Sequence, residues 1–217
     1  MVVGHYAGAF VARGLDRRLP LGAAFLAVQL VDIGWDVAIA TGVEHAAIVP
    51  GLASNPLDLY DMPYTHGLVA TLVWALAAFA IVKGLGLFGG STRVAAVVAF
   101  AVASHWALDA LVHRADLPLF DNASPKLGFG LWSYPVAALA VELGVLAAAA
   151  AWYVARSGWT RRRVTRIGGL LGALAAIQIA TVVGPLPPTM TALALALLAA
   201  YLAFAAAAHV VDRDAIL

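Results

Sequence analysis

Long apolar runs separated by short polar punctuation fill most of this chain. The runs lie at roughly 19–40, 65–83, 94–112, 135–155, 167–184 and 189–209, and each is bounded by Pro, Gly or charge. Their lengths match the ~20 residues a helix needs to cross hydrocarbon, so the pattern predicts an all-α, polytopic transmembrane bundle of about six spans. Pro20, Pro63 and Pro135 stand at or before helix starts, where a missing N–H costs little. Gly84 to Gly90 reads as a turn, and Pro185, Pro187 and Pro188 punctuate the last hairpin. Residues 2–12 are also apolar but too short to span, and Arg13, Arg17 and Arg18 follow them. That segment reads as a short half-helix dipping into the bundle with Met1 at its buried end, an arrangement permitted when protein covers it. It is not expected to be a signal peptide, because its basic residues follow the apolar stretch.

Composition agrees with the pattern. Of 217 residues, 63% are hydrophobic and 12% charged, about half the usual ~25% charge of soluble domains. The mean hydropathy is +0.91. These values exclude an ordinary soluble domain and intrinsic disorder, and leave a single integral membrane domain. The formal net charge of +1 makes no electrostatic case for nucleic acid. With no cysteine present, His, Asp and Glu must build any metal site. The loop charges alternate so that all Lys and Arg except Arg114 and Lys126 fall on one side. The positive-inside rule then predicts both termini in the cytoplasm. Trp106, Trp132, Tyr134 and Tyr64 read as anchors at the outer interface.

Ionisable residues inside a span are expensive and mark a site or a pair. They concentrate in residues 1–142, whereas 143–217 reads as scaffold. The first run carries Asp32 and Asp36, the second opens on Thr65-His66, the third carries Ser104, His105 and Asp109, and the fourth carries Glu142. Alternating span directions put these groups at similar depth, from mid-membrane to the outer leaflet. At ~1.5 Å per residue His5 lies ~12 Å above Arg13, approaching the level of Asp32. His105 and Asp109, at i and i+4, share a helical face and can ligate one cation or simply staple the helix by a hydrogen bond. His113 and Arg114, with Lys126 beyond them, fall at the outer mouth, where they would meet an anionic headgroup or mark the interface.

At these residues the chain resembles the YdjM-like inner-membrane metal-dependent hydrolases, which are distantly similar to the zinc-dependent phospholipases C in the order of their ligands. The matching features are Gly4-His5, Asp32 at the end of Leu30-Val31-Asp32, Thr65-His66, and Ser104-His105 through Asp109. They cover about residues 1–120. The family often shows Pro-Asp-x-Asp-His where this chain reads Val31-Asp32-Ile33-Gly34-Trp35, and His-Arg-Gly where it reads Asp61-Met62-Pro63.

The resemblance implies Asp32, His66, His105 and Asp109 around a first metal, with His5 helping to hold a second. Ligands of this kind without thiolate suit Zn²⁺, with Mn²⁺ or Fe²⁺ as alternatives. The expected activity is hydrolysis of a phosphoester in a lipid or lipid-linked substrate by a metal-activated water, in a bacterial inner membrane. Asp32 is the expected base and Glu142 the second choice, with Arg114, His113 and Lys126 as phosphate-binding groups. Two other readings use the same residues: a transporter or channel with the cluster as its cation path, and a structural protein whose metal locks the bundle.

Overall fold

The computed structural model describes residues 1–213. The chain forms α1 (Tyr6–Leu15), α2 (Leu21–Val28), α3 (Leu30–Thr41), a hairpin of β1 (His45–Ile48) and β2 (Leu57–Asp61), α4 (Leu68–Gly84), α5 (Thr92–Val112), a small pairing of β3 (Leu117–Pro118) and β4 (Lys126–Leu127), α6 (Pro135–Ser157), α7 (Arg161–Val183) and α8 (Met190–Arg213). It is a polytopic helical membrane bundle. Among the described residues four helices, α5 to α8, are long and apolar enough to cross a membrane, and the bent pair α2–α3 makes a fifth if taken as one span. The 17-residue α4 is apolar but shorter. The outward faces are greasy: Leu72, Val73 and Leu76 on α4, and Leu195, Leu202 and Val210 on α8, are all exposed.

The first expected span is therefore not one helix. A bend of 51° divides it, at Gln29, where the backbone leaves the helical well (φ −97°, ψ 6°). The cause is a side chain inserted into the backbone ladder. The Val28 carbonyl, which a continuous helix would offer to the Asp32 N–H, instead accepts from His105 Nδ1 at 2.8 Å. Gln29 Nε2 meanwhile donates to the Val2 carbonyl at 3.2 Å. The second run also starts later than its hydropathy suggests, because Thr65 and His66 lie in the turn before Gly67, the residue that caps α4.

Helix α1 penetrates the bundle with Met1 buried at its inner end. It lies against α5 at Gly8, where an added Cβ would stand 2.4 Å from Ser104 Oγ. Ser104 donates to the Ala101 carbonyl at 2.7 Å, so the hydroxyl is fixed and only glycine fits opposite. Beneath His5 the interior is closed by aromatic rings: Tyr6 stacks on Phe25 at 4.3 Å, and Phe10 meets both Phe25 and Tyr153 at 5.7 Å. At the other end the β1–β2 hairpin covers the bundle, pinned by Asp61, which accepts from His45 Nδ1 and Asn122 Nδ2 at 2.6 Å each. Those two hydrogen bonds, His45's first, hold the Asp61 carboxyl below the usual carboxylate range.

Candidate metal centre

Four histidines and two aspartates converge where α1, α3, the α4 entry and α5 meet. Among the described residues two groups offer one ligand atom each within 4.8 Å of the others: His5, His105 and Asp109, and Asp32, His66 and His105. Ligands held ~2.0–2.2 Å from one ion stand at most ~4.4 Å apart. The nitrogen–oxygen separations across the cluster, 3.1 to 3.8 Å, fall within that reach. His105 belongs to both groups, and Asp109 sits between them. Asp109 Oδ1 lies 3.1 Å from His5 Nε2 and 3.4 Å from His113 Nε2, while Oδ2 lies 3.1 Å from His105 Nε2 and 3.8 Å from His66 Nε2. The amino group of Met1 also pairs with Oδ1. Asp32 Oδ1 lies 3.2 Å from His66 Nε2 and 3.5 Å from His105 Nε2.

The ring nitrogens are presented, not spent. His105 Nδ1–H is used on the Val28 carbonyl, which leaves the Nε2 lone pair facing the carboxylates; that Nε2 and both nitrogens of His5 are buried with no hydrogen-bond partner among the described residues. The rings of His5 and His105 stack at 3.7 Å and 8°. Buried, unsatisfied ring nitrogens beside carboxylates are what a divalent cation would complete. The residues present fit such an ion.

His66 is oriented from behind. The Thr65 hydroxyl donates to Glu44 Oε2 at 2.6 Å, so its oxygen accepts the His66 Nδ1–H at 2.9 Å and Nε2 is left as the free ligand atom. Glu44 Oε1 accepts the backbone N–H of Tyr64 and Thr65 at 2.7 and 3.0 Å. Outer partners of this kind fix tautomer and ring angle. Thr65→Val keeps shape and loses the relay. It is expected to weaken divalent-metal affinity ~10–100-fold without unfolding the protein, measured by competition against a chromophoric chelator. An unchanged affinity would show that the relay does not orient His66.

Asp32 Oδ2 accepts from Tyr201 Oη at 3.1 Å, so α8, expected to be scaffold, contributes a wall of the site. Asp36, one turn from Asp32, is buried with neither oxygen partnered among the described residues and belongs to neither ligand group. Glu142 belongs to neither ligand group: its Oε2 accepts the N–H groups of Val2 and Gly4 at 3.2 and 3.4 Å and so holds the start of the chain in place.

The residues expected at an open outer mouth are placed differently. His113 is buried, paired to Asp109 on one side and to Asp116 by Nδ1 at 2.8 Å on the other. Arg114 Nη2 donates to the carbonyls of Ala53 and Asn55 at 2.8 and 3.2 Å. Lys126 Nζ donates to the Tyr60 carbonyl at 3.1 Å. Arg114 and Lys126 line neither cavity beside the site. Trp132 is buried against His113, ring centroids 4.1 Å apart, and is no interfacial anchor. Glu44, Tyr201 and the inward role of His113 were not evident in the sequence. A signal existed only for His113, which extends the His105–Asp109 spacing by another four residues on the same helical face.

A small cavity of about 60 Å³ adjoins the cluster, lined by Asp32, His66, Asp109, His113 and Tyr201 among others. Water occupies ~30 Å³ in the liquid, so the cavity is on the scale of one or two waters in contact with several polar partners. Comparisons of the chain with protein-family profiles, with curated proteins and with solved structures find no match.

Proposed function

We propose that this protein is a membrane-embedded, metal-dependent hydrolase acting on a phosphoester of a lipid or lipid-linked substrate. The observation that carries the reading is the small cavity against the His/Asp cluster, into whose mainly apolar lining Asp32, His66, Asp109 and His113 are set. A purely structural metal would be fully enclosed by its ligands, whereas a catalytic one keeps a position open. A divalent ion held there, zinc in the first instance and manganese or iron otherwise, would lower the pKa of a water to ~7 and polarise a phosphoryl oxygen.

The chain's own residues supply the rest. Asp32 lines the cavity, and Tyr201 fixes one of its oxygens, which suits the other for accepting a proton from the attacking water. Glu142 then serves as a positioning residue for His5 rather than as a base. The buried site excludes bulk water and strengthens each interaction within it. The ligand order that resembles the YdjM-like hydrolases supports the same reading. In this reading α4 counts as a crossing, giving six, the Arg13 end of α1 and the Arg213 end of α8 face the cytoplasm while Met1 itself lies inside the bundle, and the membrane is a bacterial inner membrane.

A transport path is less well supported. The Tyr6, Phe10, Phe25 and Tyr153 rings pack the interior between His5 and the Arg13 end of α1, leaving the polar cluster approached from one side. The test is hydrolysis of a phospholipid panel by purified protein loaded with zinc or manganese, with products read by mass spectrometry. A phosphoester cleavage product that disappears in His66→Ala is expected. Metal-loaded protein that turns over nothing across a wide lipid panel would sink the hydrolase reading.

A further inference from the structure

The cavity beside the ligands, at about 60 Å³, is several times smaller than the ~300–1,000 Å³ of small-molecule sites. A substrate therefore reaches the cluster only if a wall moves. The β1–β2 hairpin is one of those walls: Asn55, Leu57 and Leu59 face the cavity. Leu57 and Leu59 are buried and Asp58 and Tyr60 exposed, so β2 lays an apolar face on the site and turns the alternate residues outward. A two-stranded hairpin has little stability of its own, so what holds it shut is its contacts. At the base, Asp61 accepts from His45 and Asn122, and Lys126 donates to the Tyr60 carbonyl. The strand register slips between His45 and Ala47, and a bulged strand bends at such a point. At the tip, Arg114 Nη2 donates to the Ala53 and Asn55 carbonyls, and Ser54 Oγ donates to the Trp132 carbonyl at 2.7 Å. These tip partners stand on fixed ground. The N–H groups of Phe129 and Gly130 donate to the carbonyls of Ala110 and His113, which ties the segment bearing Trp132 to the end of α5.

We propose that the β1–β2 hairpin is a lid over the metal centre, hinged at its base beside the His45–Ala47 bulge and latched at its tip by Arg114 and Ser54. That the lid admits substrate rests on the hydrolase reading; that it opens does not. The closed latch is imperfect. Arg114 Nη1 is buried with no hydrogen-bond partner among the described residues. Ser54 holds φ at +61°, a left-handed value that crowds any residue with a Cβ. Lifting the tip gives Nη1 to water and lets Ser54 relax. These gains offset part of what the broken latch loses, as a two-state element requires. The latch also adjoins the site. Arg114 follows His113 in the chain, and its guanidinium lies 5.8 Å from the Trp132 ring that packs on His113.

The chain has no cysteine, so single introduced thiols report the lid directly. Leu57→Cys lies on its inner face, Phe129→Cys is exposed, and Leu117→Cys is buried in β3, outside the lid. Each full-length protein is labelled with a water-soluble maleimide in detergent, and the rate is read by mass spectrometry. With the latch intact, Leu57→Cys is expected to react far more slowly than Phe129→Cys. Adding Arg114→Met, which removes the donors, is expected to speed Leu57→Cys ~10–100-fold, as for lost hydrogen bonds to a charged group. Ser54→Ala is expected to speed it about fivefold, as for one neutral hydrogen bond. Leu117→Cys should stay unreactive in both. A Leu57→Cys rate indifferent to both latch substitutions overturns the lid, and so does a rise that Leu117→Cys shares, since that is general loosening. Metal content and phospholipid turnover are measured on the cysteine-free protein. Metal-loaded, active protein whose Leu57→Cys rate ignores the latch defeats the lid and keeps the hydrolase reading. A lid that answers to its latch in protein without metal or turnover does the opposite.

Discussion

Asp109→Ala is expected to strip the protein of nearly all its divalent metal, read by elemental mass spectrometry on chelator-free, detergent-purified protein beside its parent. One carboxylate reaches four imidazoles: His5 and His113 from Oδ1, His105 and His66 from Oδ2. Without it His66 and His105 keep Asp32 and His113 keeps Asp116, but His5 is left with no carboxylate in ion-pair reach among the described residues. The loss should exceed the ~10–100-fold that removing a ligand's outer partner costs. Asp36→Asn is the matched control, because Asp36 is a buried carboxyl on the same helix as Asp32 yet belongs to neither ligand group. It is expected to keep its metal. A parent that holds no metal and regains none on its addition, or an Asp109→Ala protein as metal-rich as its parent, would refute the metal centre.

The sequence reveals the ligands more clearly than the surroundings that orient them, and the reason is range. His105 and Asp109 are one turn apart on a single helix, so their meeting is local geometry. Asp32, His66 and His5 share their depth, which hydropathy encodes once span directions alternate. Glu44 reaches Thr65 from 21 residues away through a hairpin, and Tyr201 reaches Asp32 from 169 residues away. No local pattern encodes such contacts. The bend at Gln29 was hidden for the same reason. Nothing between 21 and 40 marks a break, since no proline lies at the joint. The break comes from His105, a residue of another helix, taking the Val28 carbonyl. The apolar run was legible as membrane-crossing material, but its division was a tertiary event. Arg114 and Lys126 went astray in a different way. Positive charge near an outer loop suggests an anion site, yet here both cations are used on backbone carbonyls that shape the loops.

The largest loss of stability is expected at the opposite end of α1, from Asp212→Ala. The Asp212 carboxylate is 4% exposed. It accepts from Arg13 Nε at 3.1 and 2.9 Å, from Tyr153 Oη at 2.8 Å and from the Leu21 N–H at 3.1 Å. One side chain of α8 thereby ties α1, α2 and α6 together. Arg13 also donates Nη1 to the Arg17 carbonyl at 2.7 Å, so its guanidinium is held where it cannot swing out to water. Removing the carboxylate leaves that buried charge unpaired, at a cost of ~3–5 kcal/mol. The double replacement Arg13→Met/Asp212→Leu removes both charges and should recover most of the loss, since a buried pair contributes little beyond well-packed apolar groups. Thermal unfolding in detergent would measure all three proteins. A single replacement as mild as the double would mean that Arg13 finds water or another partner. The consequence extends to the metal centre. Helix α1 is pinned at this end by Asp212 and at its start by Glu142 and Asp109, and His5 rides between them. Asp212→Ala should therefore also lower metal affinity, although no ligand is touched, and the double replacement should restore it together with the stability.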